Sequence, residues 1–283
     1  MTILLLCLLC LLLAAACPAQ EPWEPEEFPI GYWYGPPEAH NTLETWQRVK
    51  DGNFTFAGMS GFTLEQNQQM LDLCQQAGVK AMIIDNRINW QMVGLDNWEQ
   101  TLDEIVADYA SHPALYGYYI QDEPGYGLFK DLGEISRGLE KRDPNHLPYI
   151  NLFPTYASVE QLGTPTYADH LEKFLSISTP RVLSYDHYAL MSDGSLRVDY
   201  FENLELIRRA ALNHGVPAWN IILSLPHLAY RDPSAAEMRW QVYTSLAYGI
   251  KGLMYFTYWT HPDWEAAGQI AIIDSKGEPG RLY

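Results

Sequence analysis

The chain has 283 residues, 47% hydrophobic and 13% aromatic, enough for a large core in one big domain or two ordinary ones. Its formal charge of -17 argues against nucleic acid and anionic lipid headgroups as partners and leaves neutral or cationic small substrates open. Its 9 Trp and 19 Tyr are core residues in the ordinary case, but clustered at strand ends their flat apolar faces suit sugar rings.

Residues 1–16 read as a signal peptide, because the block from Met1 to Gln20 is uncharged and its apolar run, Ile3 to Ala16, is too short to span a bilayer. Ala14-Ala15-Ala16-Cys17 resembles a bacterial lipoprotein cleavage box, in which Cys17 becomes the lipidated first residue. Ordinary cleavage near Ala16 or Ala19 is the competing reading, and the usual basic start is missing. The expectation is an exported protein, periplasmic, cell-surface or secreted, touching a membrane only through a lipid on Cys17. Cys7 and Cys10 leave with the signal, so no disulfide framework or Cys-based metal site survives, and Cys74 reads as a packed core thiol. Residues 17–27 form an acidic, Pro-rich tether. A single domain is expected over 28–283.

Eight strand-like runs follow: Pro29 to Tyr34, Phe54 to Ser60, Lys80 to Asp85, Leu115 to Glu123, Pro148 to Phe153, Val182 to Tyr188, Ile221 to Pro226 and Gly252 to Trp259. Helix-like segments alternate with them. Thr63 with Gln66, Ser158 with Gln161 and Ser234 with Glu237 have capping-box spacing, and Gly78, Gly215 and Gly249 fall where helices should stop. Phe201, Leu204, Ile207 and Ala211 mark one buried helix face, and Met238, Val242 and Leu246 another. Eight strand-then-helix units predict a (β/α)8 TIM barrel. A doubly wound sheet is the alternative, but no glycine-rich phosphate loop follows the first strand. After the eighth strand the last helix is expected to be short or replaced by an irregular segment.

In such a barrel the strands' C-terminal ends carry the chemistry. Those positions hold Trp33 and Tyr34; Asp85 and Asn86; Gln121, Asp122 and Glu123; Asn151; Tyr185, Asp186, His187 and Tyr188; His227; and Tyr258 and Trp259. A solvated rim would also be polar, but it has no use for this many aromatic plates. The central stretch is Ala114 to Gly125, ALYGYYIQDEPG, a buried strand that delivers Asp122 and Glu123 to its own end before Pro124 and Gly125 stop it. His187 beside Asp186 is a weak metal pair, read instead as hydrogen-bonded, so no metal or cofactor is expected.

YYIQDEP on strand four, SYDHY on strand six and YFTYW on strand eight resemble a (β/α)8 glycoside hydrolase across nearly the whole mature chain. In retaining barrel glycosidases an acid/base glutamate ends strand four, usually as Asn-Glu-Pro, and a nucleophilic glutamate ends strand seven. Glu123 with Pro124 matches the first part, while LSLPHLAY (Leu223 to Tyr230) carries no carboxylate for the second, and Asp122 replaces the Asn. The adjacent Asp-Glu is similar to β-N-acetylhexosaminidase families 20 and 123, where the substrate's own acetamide attacks the anomeric carbon. That resemblance implies that Glu123 protonates the leaving oxygen and Asp122 orients the acetamide. Failing an acetamido sugar, Asp186 or Asp85 is the second carboxylate, and Trp259 is the floor on which a sugar stacks. The alternative is a non-catalytic glycan-binding lipoprotein on a decayed barrel.

Overall fold

The strands are β1 Ile30–Trp33, β2 Phe56–Ser60, β3 Lys80–Ile83, β4 Leu115–Asp122, β5 Leu147–Leu152, β6 Leu183–Asp186, β7 Ala218–Leu223 and β8 Gly252–Phe256. Between and after them come α1 Leu43–Asp51, α2 Leu64–Ala77, α3 Trp98–Tyr109, α4 Phe129–Arg142, α5 Val159–Leu162, α6 Tyr167–Ser178, α7 Tyr200–His214, α8 Ala235–Ala247 and α9 Pro262–Ala266. All paired strands run parallel in the order β1-β8-β7-β6-β5-β4-β3-β2, a nearly closed TIM barrel ringed by helices. The computed structural model describes residues 25–283. The expected signal peptide, Cys17 and the tether up to residue 24 lie outside the described residues. No helix among the described residues is long and apolar enough to cross a membrane.

The seam between β1 and β2 is drawn shut by Thr55, whose N–H donates to Ile30 O at 2.9 Å while its hydroxyl accepts the Ile30 N–H at 2.9 Å. Gly58 lets the two backbones meet, since a Cβ there would lie 1.4 Å from Tyr32 O. Inside, Phe56 stacks on Tyr116 at 4.3 Å, and Trp219 and Met254 pack around them. The missing side chains of Gly31 and Gly252 leave the room that the Phe56 and Trp219 rings fill. The barrel is therefore plugged by side chains below its C-terminal mouth.

All three expected capping boxes form, and Gly78 and Gly215 close their helices in the left-handed conformation. Two expected faces are corrected: on α7, Leu204, Ile207 and Ala211 are buried but Phe201 is 45% exposed, its place on the buried face taken by Tyr200. On α8 the fully buried residues are Gln241 and Ser245, while Leu246 of the expected apolar stripe is exposed. The Gln241 amide accepts the Leu223 N–H and donates to Leu223 O, and Ser245 accepts from Asn220, so polar side chains tie this helix to β7. Strand seven begins at Ala218 rather than Ile221 and ends at Leu223, which leaves His227 in the loop beyond it. As expected, the last helix is short, and irregular residues after it return to the barrel, where Ile273 N–H donates to Tyr258 O.

Candidate active site

Adjacent residues on a strand point to opposite faces, so Asp122 and Glu123 could not both face the barrel axis on a regular β4. Two departures bring them together. Tyr119 pairs with Tyr149 and Asp122 with Asn151, so β4 spends one residue more than β5 over the same span, and this bulge turns Asp122 onto the inward face that Tyr119 occupies below it. Glu123 then leaves the strand at φ 43, a left-handed conformation that is strained for a side chain with a Cβ. Its N–H is held by Asn151 O at 2.8 Å, and Pro124 behind it is buried. As a result both carboxyls line one cavity of about 150 Å3 at the barrel mouth.

Asp186 enters the same cavity from β6, and Asn151 from β5 organises the group. The Asn151 Nδ2 amide donates to Asp122 Oδ1 at 3.1 Å and to Asp186 Oδ1 at 2.9 Å. Its Oδ1 accepts from Ser184 Oγ at 3.1 Å, and Ser184 in turn shares a 2.7 Å bond with the Tyr149 hydroxyl. One amide, held from behind, thus sets the positions of two carboxyls from different strands. The aromatic walls are Trp33 from β1, Tyr188 after β6 and Phe256 at the end of β8, with Ile221 among them.

All three carboxyls resist ionisation. Burial, and then the negative charge of Asp122, push Glu123 up to about 7. Burial raises Asp122 to about 6 against the opposing Asn151 hydrogen bond. Asp186 is raised by burial and then by Glu123 and Asp122. Neighbouring carboxyls that disfavour one another's ionisation can supply both an acid and a base near neutral pH.

Six of the expected site residues, Trp33, Asp122, Glu123, Asn151, Asp186 and Tyr188, line the cavity. The others stand elsewhere. Asp85 is a structural acid, bound by the Arg87 guanidinium at 2.9 and 2.7 Å and by the Tyr109 hydroxyl at 2.7 Å, and these partners hold it below its ordinary pKa despite burial. Asn86 is exposed, with its N–H on Phe62 O, and Gln121 donates to the Asp122 carbonyl. Tyr185 and Tyr258 pack in the core outside the barrel lumen, Tyr258 stacked on Tyr32 at 4.5 Å. Trp259 is 2% exposed, wedged against His40 and Gly277, so it is a core residue and not a sugar platform. Tyr34 sits beside His261 and Trp264. His187 is buried with Nε2 3.4 Å from Asp199 Oδ1, and His227 packs behind the cavity wall on Phe256 and Tyr188. Two lining residues were missed, Ile221 and Phe256, and only Phe256 left a signal. Its signal was the two-residue alternation from Met254, hidden because strand eight stops at Phe256 and not at Trp259.

The fold and this mouth define a (β/α)8 barrel with a carboxyl-rich, aromatic-walled cavity at the C-terminal ends of its strands. Two larger grooves, of about 490 and 880 Å3, open at the opposite end, beside Lys80 and Leu115 and beside Pro217 and Lys251. That end of such a barrel serves stability. Solved structures share the fold. A β-galactosidase from the psychrophilic Marinomonas ef1 aligns with a TM-score of 0.61 at 11% identity over 90% of this chain and 57% of its own. The Clostridial cellulose synthase subunit Z (CcsZ) from Clostridioides difficile gives 0.57 at 11% identity over 90% and 98%. A β-1,4-mannanase from the sea hare Aplysia kurodai gives 0.54 at 10% identity over 83% and 90%. This chain therefore spans little more than half of the β-galactosidase. No protein-family model matches the chain, and no curated protein matches it.

Proposed function

We propose that this protein is an exported glycoside hydrolase that cleaves O-glycosidic bonds in a poly- or oligosaccharide, with Glu123 as general acid/base. The observation that carries this reading is the convergence of Asp122, Glu123 and Asp186 in one aromatic-walled cavity, reached through a bulge and a left-handed turn. Glu123, pushed up to about 7, keeps a proton to give a leaving glycosidic oxygen at neutral pH and, once ionised, can take one from water. Asp186 is the candidate second carboxylate, because Asp85 is engaged by Arg87 and Tyr109. On an N-acetylhexosaminide Asp122 would instead orient the acetamide. Drawing three carboxyls together into a partly desolvated cavity is costly, and acid/base work on a neutral glycan is a use that justifies it, which favours an enzyme over a non-catalytic glycan binder. The barrel fold that the chain shares with carbohydrate-active enzymes supports the reading.

Release of reducing sugar from a glycan panel tests it, set against retention on the same glycans in an affinity gel. Glu123→Gln should lower turnover of natural linkages by about 10²–10⁴-fold, the usual worth of a general acid, and spare an activated aryl glycoside more. Full activity of Glu123→Gln on a natural glycan would remove the assignment.

A further inference from the structure

We propose that the cavity takes a sugar bearing a primary ammonium group, an amino sugar with its nitrogen unacylated, in preference to a neutral or N-acetylated ring. The inference rests on the glycoside hydrolase reading for turnover, but its binding half stands alone. Asp122, Glu123 and Asp186 line the cavity, and no Lys, Arg or His lines it with them. The cationic side chains in the loops after β3 and β6 are committed elsewhere. Arg87 is bound by Asp85 and Asp108, and Arg197 lies over the Tyr156 ring at 3.9 Å and donates to the Tyr230 hydroxyl. His187 faces Asp199, and His227 sits behind Phe256.

Asp186 is buried and Asp122 and Glu123 are partly buried, and the side-chain amide donor among the lining residues, Asn151, reaches only Asp122 and Asp186. Independent of the acids, Tyr188 is only 7% exposed, lines the cavity, and makes no side-chain hydrogen bond among the described residues. Asp186, also 7% exposed, uses only Oδ1 in its bond to Asn151. An ammonium brings three N–H donors and a positive charge, and the faces of Trp33, Tyr188 and Phe256 around it attract a cation as well. No three His, Cys, Asp or Glu side chains among the described residues are grouped to hold a metal ion. The volume, about 150 Å3, equals about five waters at ~30 Å3 each, room for a single ring. Acetylating the nitrogen would remove the charge and leave the acids unmet.

The test is calorimetric titration of the wild type with glucosamine, galactosamine, their N-acetyl forms and glucose, with hydrolysis of fully deacetylated against fully acetylated oligosaccharides alongside. We expect the amino sugars to bind at least tenfold tighter than the other rings, and this ratio to shrink toward unity in Asp122→Asn and in Asp186→Asn, each checked for folding by its melting curve. Equal or tighter binding of the N-acetyl or neutral rings overturns the inference, as does a ratio unchanged in both folded variants. Hydrolysis of neutral glycans without an amine preference would overturn it and leave the glycosidase reading standing. Amine-selective binding without turnover of any glycan would support it and sink the glycosidase reading.

Discussion

Asp122→Asn should make the folded protein more stable at alkaline pH while impairing it as a catalyst. In the native state the Asp122 carboxyl titrates at about 6, raised by burial from an ordinary 3.8. Below about pH 4 it is protonated folded or unfolded, and no difference arises. As pH climbs through 6 the folded carboxyl must ionise inside the barrel mouth while the unfolded one is solvated, so the native state binds more protons and stability falls with rising pH. A rise of this size corresponds to about 3 kcal/mol at most. With the Asn151 hydrogen bond retained by the new amide oxygen, we expect Asp122→Asn to gain on the order of 2 kcal/mol at pH 8. At about 2–4 °C per kcal/mol for a domain of this size, Tm should rise by about 4–8 °C. Calorimetric melts of both proteins at pH 4 and pH 8 read this directly, with the gain expected only at pH 8. The same substitution removes the charge that raises Glu123, so the alkaline limb of any residual activity should move to lower pH. A variant less stable than wild type at pH 8, or equally stabilised at both pH values, would refute the claim that burial of Asp122 outweighs its hydrogen bonds.

Trp259→Ala should cost about 3–5 kcal/mol in a melt and leave glycan affinity of the folded fraction unchanged, as a buried indole and not a platform requires; weaker binding at an unchanged Tm would put it in the site. Gly58→Ala should prevent closure between β1 and β2, because its Cβ would strike Tyr32 O, and a wild-type Tm for that variant would contradict the seam described above. Cys17→Ser should release the protein from the membrane fraction; a wild type that is wholly soluble with its N-terminus at Gln20 would show that no lipid is attached there.

Much of the architecture was legible because its signals are local. Capping boxes at Thr63, Ser158 and Ser234 and left-handed closures at Gly78 and Gly215 depend on a few neighbouring residues, and each appears where the spacing puts it. Strand number and order follow from alternation for the same reason. The α8 face was misread because periodicity sees apolar residues only, whereas that helix is held by Gln241 on the Leu223 backbone, a contact between residues far apart in the chain. Trp259, Tyr258 and Asp85 were misplaced by strand ends set too late or by partners invisible in sequence. Strand eight stops at Phe256, strand three at Ile83, and the Asp85 carboxyl finds Arg87 and Tyr109.

The central pair shows where local reading stops being enough. Asp-Glu at the end of a strand says that two costly carboxyls arrive together, but strand geometry alone would send one into the barrel and the other toward the helices. Only the extra residue in β4 opposite Tyr149–Asn151 and the left-handed Glu123 make them neighbours in one cavity. Neither has a signature in the residues themselves, since Ile120 and Gln121 are ordinary strand residues and Glu is a poor choice for positive φ. That poor choice is informative. A left-handed glutamate costs roughly 1–3 kcal/mol, and a glycine or asparagine would relieve it, so its presence at the C-terminal mouth of the barrel argues that the carboxyl and its direction are what the position is for.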